Sequence, residues 1–134
     1  MFDLKLHHIG CATRNIEKEL KTFQMLGYSQ CSDFFCDEIQ KIKGVFISAL
    51  NQPCIELLEN LSSDGPLTSH IIKGNKFYHF AYETTDIHKD LERFVCDFKA
   101  KIIVPITKAT FFENICFMVL PNMMIVELVE LKKV

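Results

Sequence analysis

The chain has 134 residues, 49% of them hydrophobic, with a net charge of −2. That is enough apolar material for one compact domain with a sizeable core, and acidic and basic residues are interspersed without a long run of either sign, which excludes an electrostatic platform for nucleic acid or an anionic membrane. Met1-Phe2-Asp3-Leu4-Lys5 lacks the charged flank and apolar block of a signal peptide, and no stretch nears the ~18 apolar residues of a membrane span, so a soluble, cytoplasmic protein is expected.

The first predicted element is a strand over Leu4 to Ala12, in which alternation places His8 on one face with Leu6 and Gly10, and His7 on the other. A helix follows from an Asn15 N-cap, with Ile16, Leu20 and Phe23 at helical spacing and Gly27 at its C′ position. Tyr28 to Asp37, Lys41 to Leu50 and Cys54 to Leu58 read as three further strands, the last two joined through Asn51-Gln52-Pro53 as a hairpin. The order is β-α-β-β-β.

Residues 61–75 read as an ordered linker holding one short helix, with Pro66 near its start and Gly74 closing it. The first pattern then returns. Phe77 to Glu83 is a strand, and Asp86 caps a helix whose buried stripe is Ile87, Leu91, Phe94 and Phe98. Ala100 to Ile106, Ile115 to Leu120 and Met123 to Leu131 supply three more strands, the last two joined through Pro121-Asn122. The expected organisation is α+β, a single domain over 1–134 made of two tandem βαβββ modules at about 3–60 and about 76–132.

The two modules align without a gap at an offset of 71 positions, which superposes His8 on His79, Thr13 on Thr84, Ile16 on Ile87, Lys18 on Lys89 and Leu20 on Leu91. Phe23 then falls on Phe94, Glu56 on Glu127 and Glu59 on Glu130. Shared amphipathic periodicity could produce the helix matches, but periodicity does not select His or Glu. The matches therefore indicate a duplicated supersecondary unit.

A carboxylate between apolar neighbours on a strand, as in Cys54-Ile55-Glu56-Leu57-Leu58 or Ile125-Val126-Glu127-Leu128-Val129, either faces solvent or points inward to a partner. If the modules pack about a pseudo-two-fold axis, His8 converges with His79 and Glu56 with Glu127. Two imidazoles and two carboxylates suit a borderline divalent ion with positions left for substrate. His7, His70 and His88 lack such matches and read as packed or solvated. Phe34, Phe35, Phe46, Phe111 and Phe112 are candidates for an apolar cavity lining. The six cysteines show no Cys-x-x-Cys spacing and read as reduced, packed thiols.

Leu6-His7-His8-Ile9-Gly10, Ile55 to Leu61, Asp64-Gly65-Pro66-Leu67, Phe77-Tyr78-His79-Phe80 and Val126-Glu127-Leu128 together resemble the vicinal oxygen chelate superfamily, and within it methylmalonyl-CoA epimerases most. The resemblance covers nearly the whole chain. It implies a glyoxalase-like fold, the modules forming a curled mixed sheet around a central cavity, with one divalent ion (Co, Ni, Zn, Mn or Mg) held by His8, Glu56, His79 and Glu127. It also implies a small-molecule carbonyl or acyl-CoA substrate, with no nucleic acid or membrane partner, and a homodimer as the preferred assembly. The implied chemistry is proton transfer alpha to a thioester or ketone carbonyl, with Glu127 as the catalytic carboxylate. A glyoxalase I-type lyase, an iron-dependent dioxygenase and a non-catalytic small-molecule-binding member are the alternatives. The chain departs from the epimerases at one point. Their second Glu, before the third strand, corresponds by ungapped counting to Gln40, which cannot act as a base; Glu38 could substitute only with a two-residue slip of register.

Overall fold

A computed structural model describes residues 2–133, so Met1 and Val134 of the expected domain lie outside the described residues. Among the described residues there are nine strands and three helices, an α+β fold. The order is β1 (Lys5–Thr13), α1 (Ile16–Met25), β2 (Ser29–Gln30), β3 (Phe35–Asp37), β4 (Ile42–Ser48), β5 (Ile55–Asn60), α2 (Thr68–Lys73), β6 (Phe77–Glu83), α3 (Ile87–Phe98), β7 (Lys101–Lys108), β8 (Asn114–Val119) and β9 (Ile125–Glu130). No helix is long and apolar enough to cross a membrane. The chain divides into two compact units, His8–Tyr78 and a second formed by His79 onward together with the N-terminal segment through His7.

In the first unit β1 pairs in parallel with β5, β5 antiparallel with β4, and β4 antiparallel with both β2 and β3. In the second, β6 pairs in parallel with β9, β9 antiparallel with β8, and β8 antiparallel with β7. Each unit thus sets its first strand beside its last, the two running parallel with the helix as part of the crossover. The tandem modules expected from the sequence are present in both units.

Alternation sorts each sheet into two faces. In the first unit Cys11, Val45, Ile47, Ile55 and Leu57 pack beneath Ile16 and Phe23 of α1. In the second, Cys116, Met118, Val126 and Leu128 pack beneath Ile87, Leu91 and Phe94 of α3. Burying each such Leu or Ile contributes roughly 1.5–3 kcal/mol. The helix starts repeat as well. Asn15 and Asp86 accept from the backbone N–H of Lys18 and Lys89, while Glu59 and Glu130 reach across to accept from those of Ile16 and Ile87.

The opposite face of the first unit carries Ala12, Ile42 and Leu58, which pack against Leu67 at the entry to α2. Asn60 orders the linker. Its amide oxygen accepts from Leu67 N–H at 3.0 Å and its amide nitrogen donates to Thr68 Oγ1 at 3.1 Å. A Cβ at Gly65 would lie 2.5 Å from that Asn60 oxygen, so a larger residue there would displace the side chain that orders the linker.

Three expectations are corrected. The strand from Tyr28 to Asp37 is two short pieces, β2 and β3, because Phe46 N–H donates to the Ser32 hydroxyl at 2.9 Å instead of to a strand carbonyl. Phe98 is 45% exposed, not part of the buried stripe, and lies tilted against Phe2 with ring centroids 5.4 Å apart. Cys11 and Cys116 are buried as expected, but Cys31, Cys36 and Cys96 are exposed.

Candidate metal centre

The parallel pairing of first and last strands brings each histidine to a glutamate. Gly10 is the register partner of Glu56 and Ala81 that of Glu127. His8 and His79 precede those small residues by two positions on the same face, a diagonal relation that long side chains span. His8 Nε2 lies 3.1 Å from Glu56 Oε1, and His79 Nε2 lies 3.2 Å from Glu127 Oε1. The surroundings repeat too. Phe46 stands edge-on to His8 and Phe117 edge-on to His79, each with ring centroids 5.1 Å apart. Phe46 is the antiparallel partner of Glu56, and Phe117 that of Glu127.

Both pairs are withdrawn from water, with side-chain exposures of 0% and 8% for His8 and Glu56 and of 1% and 5% for His79 and Glu127. A carboxylate buried among apolar residues is costly without a cation or strong donors. Each pair is chemically apt for a divalent ion, because its two buried side chains offer an imidazole nitrogen and a carboxylate oxygen. The spacing within each pair fits as well. Two ligand atoms at about 2.1 Å from a shared ion stand about 3.0–3.4 Å apart for angles between square and tetrahedral.

The other sequence candidates fall elsewhere. His7 is half-buried, edge-on to Phe112 at 5.1 Å. His88 is exposed, whereas His70 stacks on Tyr78 with centroids 4.4 Å apart and is not simply solvated. Of the phenylalanines singled out for an apolar lining, Phe35 stacks on Phe46 at 5.7 Å and Phe112 is buried, but Phe34 and Phe111 are exposed. Glu38 and Gln40 sit in the turn between β3 and β4, with Glu38 exposed. The Gln40 side-chain amide donates to Asp37 Oδ2 at 2.9 Å, and its backbone N–H donates to Asp37 Oδ1 at 3.0 Å.

Sequence reasoning missed Asp37, a carboxylate only 2% exposed, because a lone Asp at a turn carries no distinguishing signal. It named Phe46 only as a cavity-lining candidate, and it missed Phe117 and the pairing of these two rings with His8 and His79. These could have been found, since they too stand 71 positions apart.

A search of the curated proteins gives no significant match. Among solved structures, a hypothetical protein from Bacillus halodurans is 23% identical with a TM-score of 0.83, covering 99% of this chain and 98% of that one. Methylmalonyl-CoA epimerase from Mycobacterium tuberculosis is 17% identical with a TM-score of 0.81, covering 96% of this chain and 88% of its own. A Streptomyces coelicolor methylmalonyl-CoA epimerase variant, solved in complex with 2-nitronate-propionyl-CoA, is 17% identical with a TM-score of 0.78, covering 96% and 98%. These likenesses establish the glyoxalase-like fold over almost the whole chain. The family model of the glyoxalase/bleomycin resistance protein/dioxygenase superfamily matches residues 7–102, a span that includes His8, Glu56 and His79 and ends before Glu127. The chain belongs to the glyoxalase/bleomycin resistance protein/dioxygenase superfamily.

Proposed function

We propose that the two units act as halves of one domain and that His8, Glu56, His79 and Glu127 together hold one divalent metal ion in an enzyme that moves a proton alpha to a ketone or thioester carbonyl. The observation that carries this reading is the repetition of the His–Glu pair, with the same atoms at 3.1 and 3.2 Å and the same edge-on phenylalanine in each unit. Packing alone does not require a buried imidazole and a buried carboxylate twice.

A bound divalent ion supplies Lewis acidity, drawing charge from a carbonyl oxygen and so acidifying the carbon beside it. The chain's own residues supply the rest. His8 and His79 present Nε2, and the edge-on rings of Phe46 and Phe117 limit how far those imidazoles can turn. Glu56 and Glu127 present carboxylate oxygens where water is scarce, and a cation is held more strongly there than in water. Glu127 is the proton-moving carboxylate in this reading, Oε2 being the oxygen that does not face His79 Nε2 in the 3.2 Å contact.

The epimerase neighbours solved in complex with methylmalonyl-CoA or 2-nitronate-propionyl-CoA support a substrate class. An acyl-CoA thioester is the corresponding candidate here. The turn before β4 argues for a narrower reaction than epimerisation. Gln40 is not a base, and its amide is engaged by Asp37. A single base removes and returns a proton on one face, so enolisation or isomerisation is favoured over inversion.

That same observation favours a second reading, a glyoxalase I-type lyase acting on a glutathione hemithioacetal, for which two His and two Glu are an equally apt donor set. The test is incubation of metal-loaded protein in deuterium oxide with methylmalonyl-CoA, and separately with the hemithioacetal of methylglyoxal and glutathione. Deuterium at the alpha carbon of the thioester supports the first reading, and turnover of the hemithioacetal the second. Neither exchange nor turnover by protein containing stoichiometric metal overturns both.

A further inference from the structure

Beyond the histidine pairs, the first unit carries an open surface cavity of about 310 Å³ between the end of β1, the start of α1 and helix α2, with Arg14 and Lys18 exposed at it. Arg14, Asn15, Lys18, His70, Gly74 and Lys76 line it, together with Glu19. Its charge is unbalanced. Lys76 is ion-paired to Glu19, but among the described residues neither the Arg14 guanidinium nor the Lys18 ammonium has an acidic partner. Two unneutralised cations beside one cavity repel each other, a cost that an anion between them reverses.

We infer that this cavity binds the phosphate group of a small molecule. Three cations against one carboxylate leave an excess of two positive charges, which suits a dianionic phosphate better than a single carboxylate. Arg14 supplies the planar fork that engages two phosphate oxygens, and Lys18 a mobile point charge. The helix start is not the source of the binding. Glu59 already accepts from Ile16 N–H at 2.9 Å and Asn15 from Lys18 N–H at 3.0 Å, so the side chains make the site. The walls are fixed by Ala12 N–H donating to Lys76 O at 2.8 Å and by Asn75 N–H donating to His70 O at 2.8 Å. Ala12 lies four residues beyond His8 on β1, about 13 Å at the rise of a strand. The phosphate therefore belongs either to a long substrate whose other end reaches His8 or to a separate small anion. The inference does not depend on the metal reading.

Amide chemical-shift mapping of the full chain, titrated with pyrophosphate, inorganic phosphate, adenosine 3′,5′-bisphosphate and coenzyme A at matched ionic strength, tests it. Saturable shifts at Arg14, Lys18, Gly74 and Lys76 are expected. Replacing Arg14→Gln or Lys18→Gln should each weaken binding roughly tenfold, the scale of one lost charged hydrogen bond. Lys21→Gln, on the same helix but outside the cavity, should leave binding unchanged. If coenzyme A also shifts residues beside His8, the phosphate belongs to a substrate; if only the small phosphates bind, it is a separate anion. Absence of saturable shifts with all four probes, or equal affinity in Arg14→Gln, Lys18→Gln and the unaltered chain, overturns the site.

Discussion

The two units of this chain carry the same histidine–glutamate pair on differently finished frameworks. In the first, Ser32 interrupts the strand after the helix and α1 runs into Gly27 at φ 96°. In the second, β7 is a single eight-residue strand and α3 stops at Lys99 with φ 57°. Pro105 sits within β7, where its lack of an N–H accords with the two register shifts against β8. Yet the contacts around His8 and His79 agree to 0.1 Å in the Nε2–Oε1 distance and in the distance to the edge-on phenylalanine. Divergence has accumulated at the outer strands and helix ends, and the strands that carry the pairs have kept their register.

Matched substitutions break this comparison most forcefully in the core. Leu57 and Leu128 are both fully buried beneath their helices. Leu57→Ala and Leu128→Ala should each cost about 2–5 kcal/mol in urea unfolding, and by similar amounts, since the sites are equivalent. Next come the long-range caps. Glu59→Ala and Glu130→Ala leave the Ile16 and Ile87 N–H groups without their carboxylate acceptors, and each should cost about 1–2 kcal/mol by the same assay. The helix ends should respond in opposite directions. Gly27→Ala should destabilise by about 1 kcal/mol, whereas Lys99→Gly should stabilise by up to about 1 kcal/mol, because a left-handed conformation strains any side chain.

Thiol reactivity sharpens the comparison without altering stability. Burial pushes the Cys11 and Cys116 thiols up to about 12, and burial together with the neighbouring Cys31 does the same to Cys54. At pH 8 these three hold little thiolate, so iodoacetamide should modify exposed Cys31, Cys36 and Cys96 first. Mass spectrometry of peptides from the labelled chain reads the order. Early modification of Cys11 or Cys116 would show that the helix covering it opens.

Much of this was legible in the sequence because the repeat is nearly ungapped. The offset that superposes His8 on His79 and Glu56 on Glu127 also fixes the strands bearing them, and parallel pairing then makes His–Glu contact unavoidable. Other features depend on tertiary partners that local pattern does not encode. The break after Gln30 arises because the Ser32 hydroxyl meets Phe46 N–H from a strand fourteen residues on. The exposure of Phe98 depends on where Phe2 packs. The Gln40 contacts to Asp37 are local, but they form only once the chain has turned between β3 and β4, and no pattern of residue types marks them beforehand.

The central claim is that the two pairs serve one ion, and metal content per chain tests it most directly. Protein purified without chelator and loaded with cobalt or zinc should retain about one ion per chain. His8→Ala and His79→Ala should each abolish tight retention, although each removes a ligand from only one unit. Two ions per chain, with one surviving each single substitution, would contradict the account, as would no ion retained by the unaltered chain.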